Sequence, residues 1–554
     1  MKMHQALVAI ALPLSAFSNV THAGAEKACP TGEGEMKKWE RSVVITDQRI
    51  LKQGFSFKRT IQAILKSGEH NDGDADVEAA VQSLINTFKQ TSEKHPIGGR
   101  EVMFKERTVE EGLNAKFMLD EAGGAGMIPI GLFNRFDQAP DCWAYCGEHR
   151  IVYARDPKAF GRFFLNFEAA VANPRRDLDK EGCRPIAEMW QSLKTITEDD
   201  KITEDDKITQ IAKSLQEFYY SGLPSHDNSF KVPQAIHIDH FGNPFGQVRG
   251  NLFMGPPWQL REWHIDPLTG AFRMHVLGTN PQPGFYGGKG PSDIVKSFQE
   301  NFVQRVVPKL LEAYSKLTGV SNIEDQKAFL INNIGILPQT LEHTVDPWDD
   351  FVSNSEEDPQ DPRGSDDPEK VAEKAFKDKI KDAITKAHVH NVNADQILVR
   401  VGATSCGGCH HFSSMSSSGI GKDSADNNII WPGLPSSGAP SDFVHINEEG
   451  KLSDLLTKFF LADRCEKMNE IFFKPEGASA CIISEPNALS TMLRQTSPTA
   501  LLNLRKQIAR TPLEPSHKEP IEQMIRQFAE GEKDKVRAVD RSTRGALGQI
   551  RHAD

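Results

Sequence analysis

Past its first residues the chain lacks any apolar run near the ~18 residues that a membrane-crossing helix needs, so no spanning segment is expected in its body. It also lacks a G-x-S-x-G elbow, a phosphate-binding P-loop and a dinucleotide fingerprint, which removes the sequence grounds for an α/β-hydrolase, a P-loop NTPase or a nicotinamide enzyme. Positive charge is in deficit. With 65 Lys+Arg against 76 Asp+Glu the formal net charge is −11, a poor match for nucleic acid or anionic lipid. What is present in quantity is chain: 554 residues at 38% hydrophobic content suffice for two or three domains with cores of their own.

The N-terminus reads as a secretory leader. Lys2 supplies a positive charge, Ala6 to Phe17 forms an apolar run too short to span a bilayer, and Thr21-His22-Ala23 or Ala23-Gly24-Ala25 offers the small residues of a cleavage site. A signal peptide over residues 1–23 and a periplasmic or secreted location follow as expectations. Cysteine is sparse, at eight residues, and its use fits an oxidising compartment. Setting Cys406 and Cys409 aside leaves Cys29, Cys142, Cys146, Cys183, Cys465 and Cys481, an even set for disulfide bonds. Cys465 and Cys481 are the most local candidate pair, and the other four permit three connectivities. A metal site at Cys142, Cys146 and Cys183 is the weaker alternative.

The most specific local pattern is Cys406-Gly407-Gly408-Cys409-His410, the C-x-x-C-H spacing of covalent haem attachment. Two thiols separated by a tight glycine pair can reach neighbouring vinyl groups while the adjacent imidazole turns onto the iron. This stretch resembles a monohaem c-type cytochrome, over about residues 390 to 475. The resemblance implies one haem c, bound through Cys406 and Cys409, with His410 as proximal ligand. A sixth ligand is sought downstream: His445, flanked by apolar residues in Asp442-Phe443-Val444-His445-Ile446, is the candidate distal ligand, and Met468 is the alternative. One departure from the family is anticipated. Ile397, Val399 and Val401 alternate as in a strand, which predicts an extended entry where small cytochromes use a helix.

The rest of the chain predicts an α+β fold: a mixed N-terminal domain, then a mainly helical cytochrome c-like domain and a helical tail. The expected divisions are a mixed α+β exported domain over 24–345, an acidic linker or loop over 346–370, a haem domain over 371–484 and a polar helical tail over 485–554. Apolar residues from Val77 to Phe88 recur on one helical face. Ile151-Val152-Tyr153 suggests a strand, and Pro267-Leu268-Thr269-Gly270 is a turn between strands reaching back to Trp258 and on to Leu277. Pro291 to Leu317 predicts an amphipathic helix. Asp346 to Glu369 holds ten acidic residues, one basic residue and four prolines without apolar periodicity. Ile-Thr-Glu-Asp-Asp-Lys occurs twice in succession, ending at Lys201 and at Lys207, and is read as a surface expansion.

Asn134-Arg135-Phe136-Asp137, Cys146-Gly147-Glu148-His149-Arg150 and Trp258-Gln259-Leu260-Arg261-Glu262 resemble segments of large exported bacterial proteins, a resemblance that carries no function. Weaker constellations are His237-Ile238-Asp239-His240 as a partial metal site, Glu148-His149-Arg150 as an acid/base group, and Trp258, Trp263 and Tyr286 as a cleft. In each case ordinary packing or hydrogen bonding is the competing reading. The leading expectation is an exported haem c protein for electron transfer, or the haem domain of an oxidoreductase, serving a redox partner protein that the acidic charge would suit if basic. The alternative is a secreted binding or surface protein in which Cys406 and Cys409 form a structural disulfide or a zinc site with His411 and His445. A single C-x-x-C-H disfavours di-haem peroxidase chemistry.

Overall fold

From Phe163 to Val171 apolar side chains (Phe163, Leu165, Phe167, Ala169, Val171) recur at every second position, the period of a pleated strand, with Asn166 and Glu168 between them. The computed structural model describes residues 40–90, 106–275 with short interruptions, parts of 283–326, 368–404, 419–429, and 446–473 with one interruption. The strands are β1 (Val44–Ile45), β2 (Met127–Arg135), β3 (Tyr145–Arg155), β4 (Arg162–Ala172), β5 (Leu223–Pro224), β6 (Lys231–Val232), β7 (Gln247–Phe253), β8 (Gln259–Ile265) and β9 (Phe272–His275). Seven of them form one antiparallel sheet in the order β1-β2-β3-β4-β7-β8-β9, and β5 and β6 pair separately in the excursion between β4 and β7. The architecture is α+β, as expected. The strand at Ile151 and the hairpin across Pro267–Gly270 are both present, as β3 and as β8–β9.

One row across the sheet shows why its first face is buried: Leu132 pairs with Ile151, Ile151 with Phe167, Phe167 with Val248 and Val248 with Trp263. All five are fully buried. Each such side chain contributes roughly 1.5–3 kcal/mol relative to exposure. Covering them are α1 (Phe57–Ser67), α2 (Asp74–Asn86), α3 (Arg184–Glu198) and α4 (Glu204–Tyr220). Ser56 caps α1 by accepting the Arg59 N–H at 3.1 Å, and the Glu121 carboxylate accepts the Phe57 N–H at 2.9 Å. The repeated hexapeptide meets two fates here. Its first copy runs off the end of α3, while in the second Thr203 caps α4, accepting the Asp206 N–H at 3.2 Å.

A second apolar core is helical. It gathers α5 (Ser292–Asn301), continued through a π-turn at Phe302–Val306 into α6 (Val307–Leu317), with α7 (Lys374–Lys386), α8 (Ala394–Thr404) and the short hairpin β10 (Gly421–Lys422) to β11 (Asn428–Ile429). Phe302, Tyr314, Phe376, Ile397, Val401 and Ile420 meet in it. Residues on either side of the acidic segment therefore share one core, while the segment itself up to Asp367 lies outside the described residues. The chain then returns to the sheet: Ile446, Leu456 and the first turns of α9 (Leu461–Phe472), through Leu461, Ala462 and Cys465, pack on its second face with Val44, Ile130, Phe133 and Phe164, while Met468 and Phe472 join the first core.

The extended entry predicted from Ile397, Val399 and Val401 is overturned, because these residues lie in α8. Asn393 and Gln396 form a reciprocal cap, the Gln396 N–H donating to Asn393 Oδ1 at 2.9 Å and the Asn393 N–H to Gln396 Oε1 at 3.0 Å. Residues 396–401 are buried on every side, so the intervening Leu398 and Arg400 are as deep as the β-branched residues. Alternation in that setting reports nothing about the backbone.

Candidate functional site

Cys406, Cys409, His410, His411, Met415 and His445 lie outside the described residues, as do Cys29, Cys142, Cys481, Trp258 and the tail from Lys474 onward. The stems that flank the C-x-x-C-H stretch are described. The entering stem is α8, which ends at Thr404, and the leaving stem begins at Gly419 and passes through Ile420 into β10. Both stems are fixed to α6. The Tyr314 hydroxyl donates to the Ile420 carbonyl, and the Tyr314 ring lies 4.9 Å from the Arg400 guanidinium of α8. Arg400 also donates to the Leu310 carbonyl at 3.4 Å. Gln396 Nε2 of α8 reaches Asn428 Oδ1 of β11 at 3.3 Å, and the Lys422 N–H donates to the Asn391 carbonyl at 2.8 Å. Among the described residues, a helix thus ends at Thr404 and a braced hairpin begins after Gly419.

Met468 is placed in the sheet-packed helix α9, fully buried, with its sulfur accepting the Asn134 amide N–H at 3.4 Å. Its neighbours along the helix are bonded too: Cys465 lies 3.7 Å from the Ser42 hydroxyl, and Phe472 stacks edge-on against Phe136 at 4.9 Å and Trp143 at 5.4 Å. The residue that follows His445 is fixed too. Ile446 pairs with Leu452 and belongs to the apolar cluster on the second face of the sheet.

The same face carries a buried ladder of charges that sequence reasoning did not assemble. On β3, Glu148 pairs with Arg150, which reaches Glu168 of β4 at 3.1 Å. Arg249 of β7 bridges onward, 3.1 Å from Glu168 and 2.9 Å from Glu262 of β8, and His264 lies 3.6 Å from Glu262. Gln247 donates to both Glu168 and Glu148. At the other end Arg135 grips Asp137 at 2.7 Å, and Asp137 lies 4.0 Å from Arg464 of α9. Burial opposes ionisation of Asp137, but the Arg135 and Arg464 guanidiniums overcome it and hold the carboxyl well below its usual range. Burial likewise opposes ionisation of Glu148, and Arg150, Arg249 and Arg135 bring its carboxyl below the ordinary value. The bulge between Tyr145 and Glu148 sets this end of the ladder. Gly147 sits in it at φ +77°, where an added Cβ would stand 2.4 Å from the Arg135 carbonyl. Its opposite charges are mutually paired, so the ladder ties strands and α9 together.

Strand alternation separates Glu148 and Arg150 from His149, which points into the opposite core, so no acid/base group forms among them. His149 Nε2 donates to the Cys146 carbonyl at 3.1 Å, and its ring is held edge-on by Phe218 at 4.9 Å and Phe136 at 5.3 Å. Burial pushes its pKa down to about 3. His240 is pushed down to about 3 by burial, with His237 adding to it, and both its ring nitrogens have backbone partners, the Ala235 carbonyl at 2.9 Å and the Ala172 N–H at 3.3 Å. Among the described residues no group of three His, Cys, Asp or Glu is arranged to hold a metal. Cys146 and Cys183 form a disulfide, which removes them as metal ligands, and Cys465 is also disulfide-bonded. Trp263 and Tyr286 belong to different cores and share no cleft, the indole N–H of Trp263 donating to Thr87 Oγ1 at 2.8 Å. No helix of the described residues is long and apolar enough to cross a membrane. No protein-family model, curated protein or solved structure matches the chain.

Proposed function

We propose that the protein is an exported electron-transfer protein carrying one haem c, with Cys406 and Cys409 as the thioether donors and His410 as the proximal iron ligand. The observation that supports the reading is the C-x-x-C-H sequence Cys406-Gly407-Gly408-Cys409-His410, and the described residues that flank it, α8 up to Thr404 and the hairpin after Gly419, belong to one helical core. When bound, the haem supplies a one-electron ferric/ferrous couple. The residues of the chain would do the holding: Cys406 and Cys409, which follow α8 in the sequence, would bind the haem covalently, and the imidazole of His410 would ligate the iron. His445 is the proposed distal ligand. Its neighbour Ile446 packs on the second face of the sheet, so ligation by His445 would join the helical core to the sheet. Met468 is the weaker choice because its sulfur already accepts the Asn134 amide.

In the same reading residues 1–23 are a cleaved leader, the location is periplasmic or secreted, the sheet unit is the docking or substrate-binding partner of the haem region, and a redox protein is the physiological partner. The test is optical. Full-length protein from a host competent for haem c maturation is expected to show sharp reduced α and Soret bands that survive denaturation, and Cys406→Ala with Cys409→Ala is expected to lose them. His445→Ala should convert a six-coordinate low-spin iron to high spin. A colourless wild-type protein would refute the reading.

A further inference from the structure

Asn134 of β2 and His149 of β3 stand directly opposite each other and are both fully buried on the first face of the sheet. Each is fixed through one polar atom. The Asn134 amide nitrogen donates to the Ser42 carbonyl at 2.8 Å and to Met468 Sδ at 3.4 Å, and His149 Nε2 donates to the Cys146 carbonyl at 3.1 Å. The other polar atom of each, Asn134 Oδ1 and His149 Nδ1, is buried and has no hydrogen-bond partner among the described residues. Both are acceptors: the bond to Ser42 fixes which end of the carboxamide is oxygen, and a neutral imidazole with its proton on Nε2 keeps a lone pair on Nδ1. Burial holds that ring neutral, its pKa pushed down to about 3.

The order of the strands turns the two acceptors toward each other. Asn134 donates its backbone N–H to the Val43 carbonyl, so Ser42 lies on the β1 side of β2, while β3 lies on the other side. The nitrogen and oxygen of a carboxamide point apart, so the nitrogen that reaches Ser42 leaves Oδ1 facing β3. Directly opposite residues hold their Cβ atoms about 4.5–5.5 Å apart, near enough for one small molecule to reach both side chains. On its far side His149 faces the methyl of Ala169, and the rings held edge-on against it, Phe136 and Phe218, carry no donor. Two buried acceptors without a donor are costly, and a molecule with two donors answers both.

We propose that the first core holds one internal water between Asn134 Oδ1 and His149 Nδ1, donating one proton to each. A cation is a poor occupant, because the surrounding side chains are apolar and none of them is an anion. With the water in place, hydrogen bonds run without a break from the Ser42 carbonyl through Asn134 and His149 to the Cys146 carbonyl, beside the Cys146–Cys183 disulfide. The inference is independent of the haem reading.

The test uses the full chain. A crystal structure that resolves ordered water is expected to show one molecule about 2.7–3.2 Å from both atoms. Water oxygen relaxation dispersion, which counts long-lived internal waters, is expected to lose the contribution of one molecule in His149→Phe, and of the same one molecule in Asn134→Leu, each of which removes one acceptor. A direct hydrogen bond between Asn134 and His149, or apolar contact with no water between them, would overturn the proposal in the wild-type chain without any variant. An unchanged dispersion amplitude in either folded variant would overturn it as well.

Discussion

Acid should weaken the sheet unit well before its carboxylates protonate, because two histidines are buried in it as neutral rings. His149 and His240 are each pushed down to about 3 by burial, whereas an unfolded histidine titrates at about 6.5. Between those values the unfolded chain binds a proton that the folded chain refuses. Stability from this source is therefore complete above about pH 6.5 and is lost as pH falls toward 3, at about 1.4 kcal/mol per pH unit for each ring. From pH 6.5 to 4.5 the pair should cost about 5 kcal/mol. Asp137 and Glu148 are held below their ordinary range, so their contribution falls away only at still lower pH. The assay is native-state hydrogen exchange at the most protected amides of β3 and β4, corrected for intrinsic rates across the pH range. His149→Phe places a third ring between Phe136 and Phe218 and should roughly halve the pH slope. An unchanged slope in the variant, or a flat wild-type profile above pH 4.5, would refute the linkage.

Cleavage within the acidic segment should not separate its flanks. Helices α5 and α6 precede it, α7 and α8 follow it, and Phe302, Tyr314, Phe376 and Ile397 share one core, so a chain nicked between residues 347 and 367 is expected to elute as one species in native gel filtration and as two fragments under reducing denaturation. Separation under native conditions would show that the shared core does not hold. Met468→Leu should leave the optical spectrum unchanged while costing about 1 kcal/mol in thermal or urea unfolding, since it conserves volume but loses the Asn134 contact. A spectral change to high spin would return the distal role to Met468.

Much of the sheet was legible because its signals are local. The strand around Ile151 and the Pro267–Gly270 turn follow from period-two apolar residues and turn chemistry, and the helix from Asp74 follows from Val77, Val81, Leu84 and Ile85 on one face. The alternating Ile397, Val399 and Val401 misled because complete burial erases the contrast that a period needs; the informative residues were Asn393 and Gln396, whose spacing closes a helix cap. The charge ladder was missed for a different reason. Glu148 and Arg150, and Glu262 and His264, are each two apart on strands, a visible sign that their side chains share a face, yet their partners come from strands remote in sequence. The quoted segments containing Arg135, Glu148 and Glu262 do meet in the ladder. Nothing in their sequence set the register that joins them.

The most direct test of the central claim is the intact mass of the denatured, full-length wild-type chain expressed for export in a host competent for haem c maturation. The account predicts a chain shortened at the leader and heavier by one covalently bound haem, with the increment lost when Cys406 and Cys409 are both replaced by Ala. A mature chain of unmodified mass, colourless after denaturation, would contradict it.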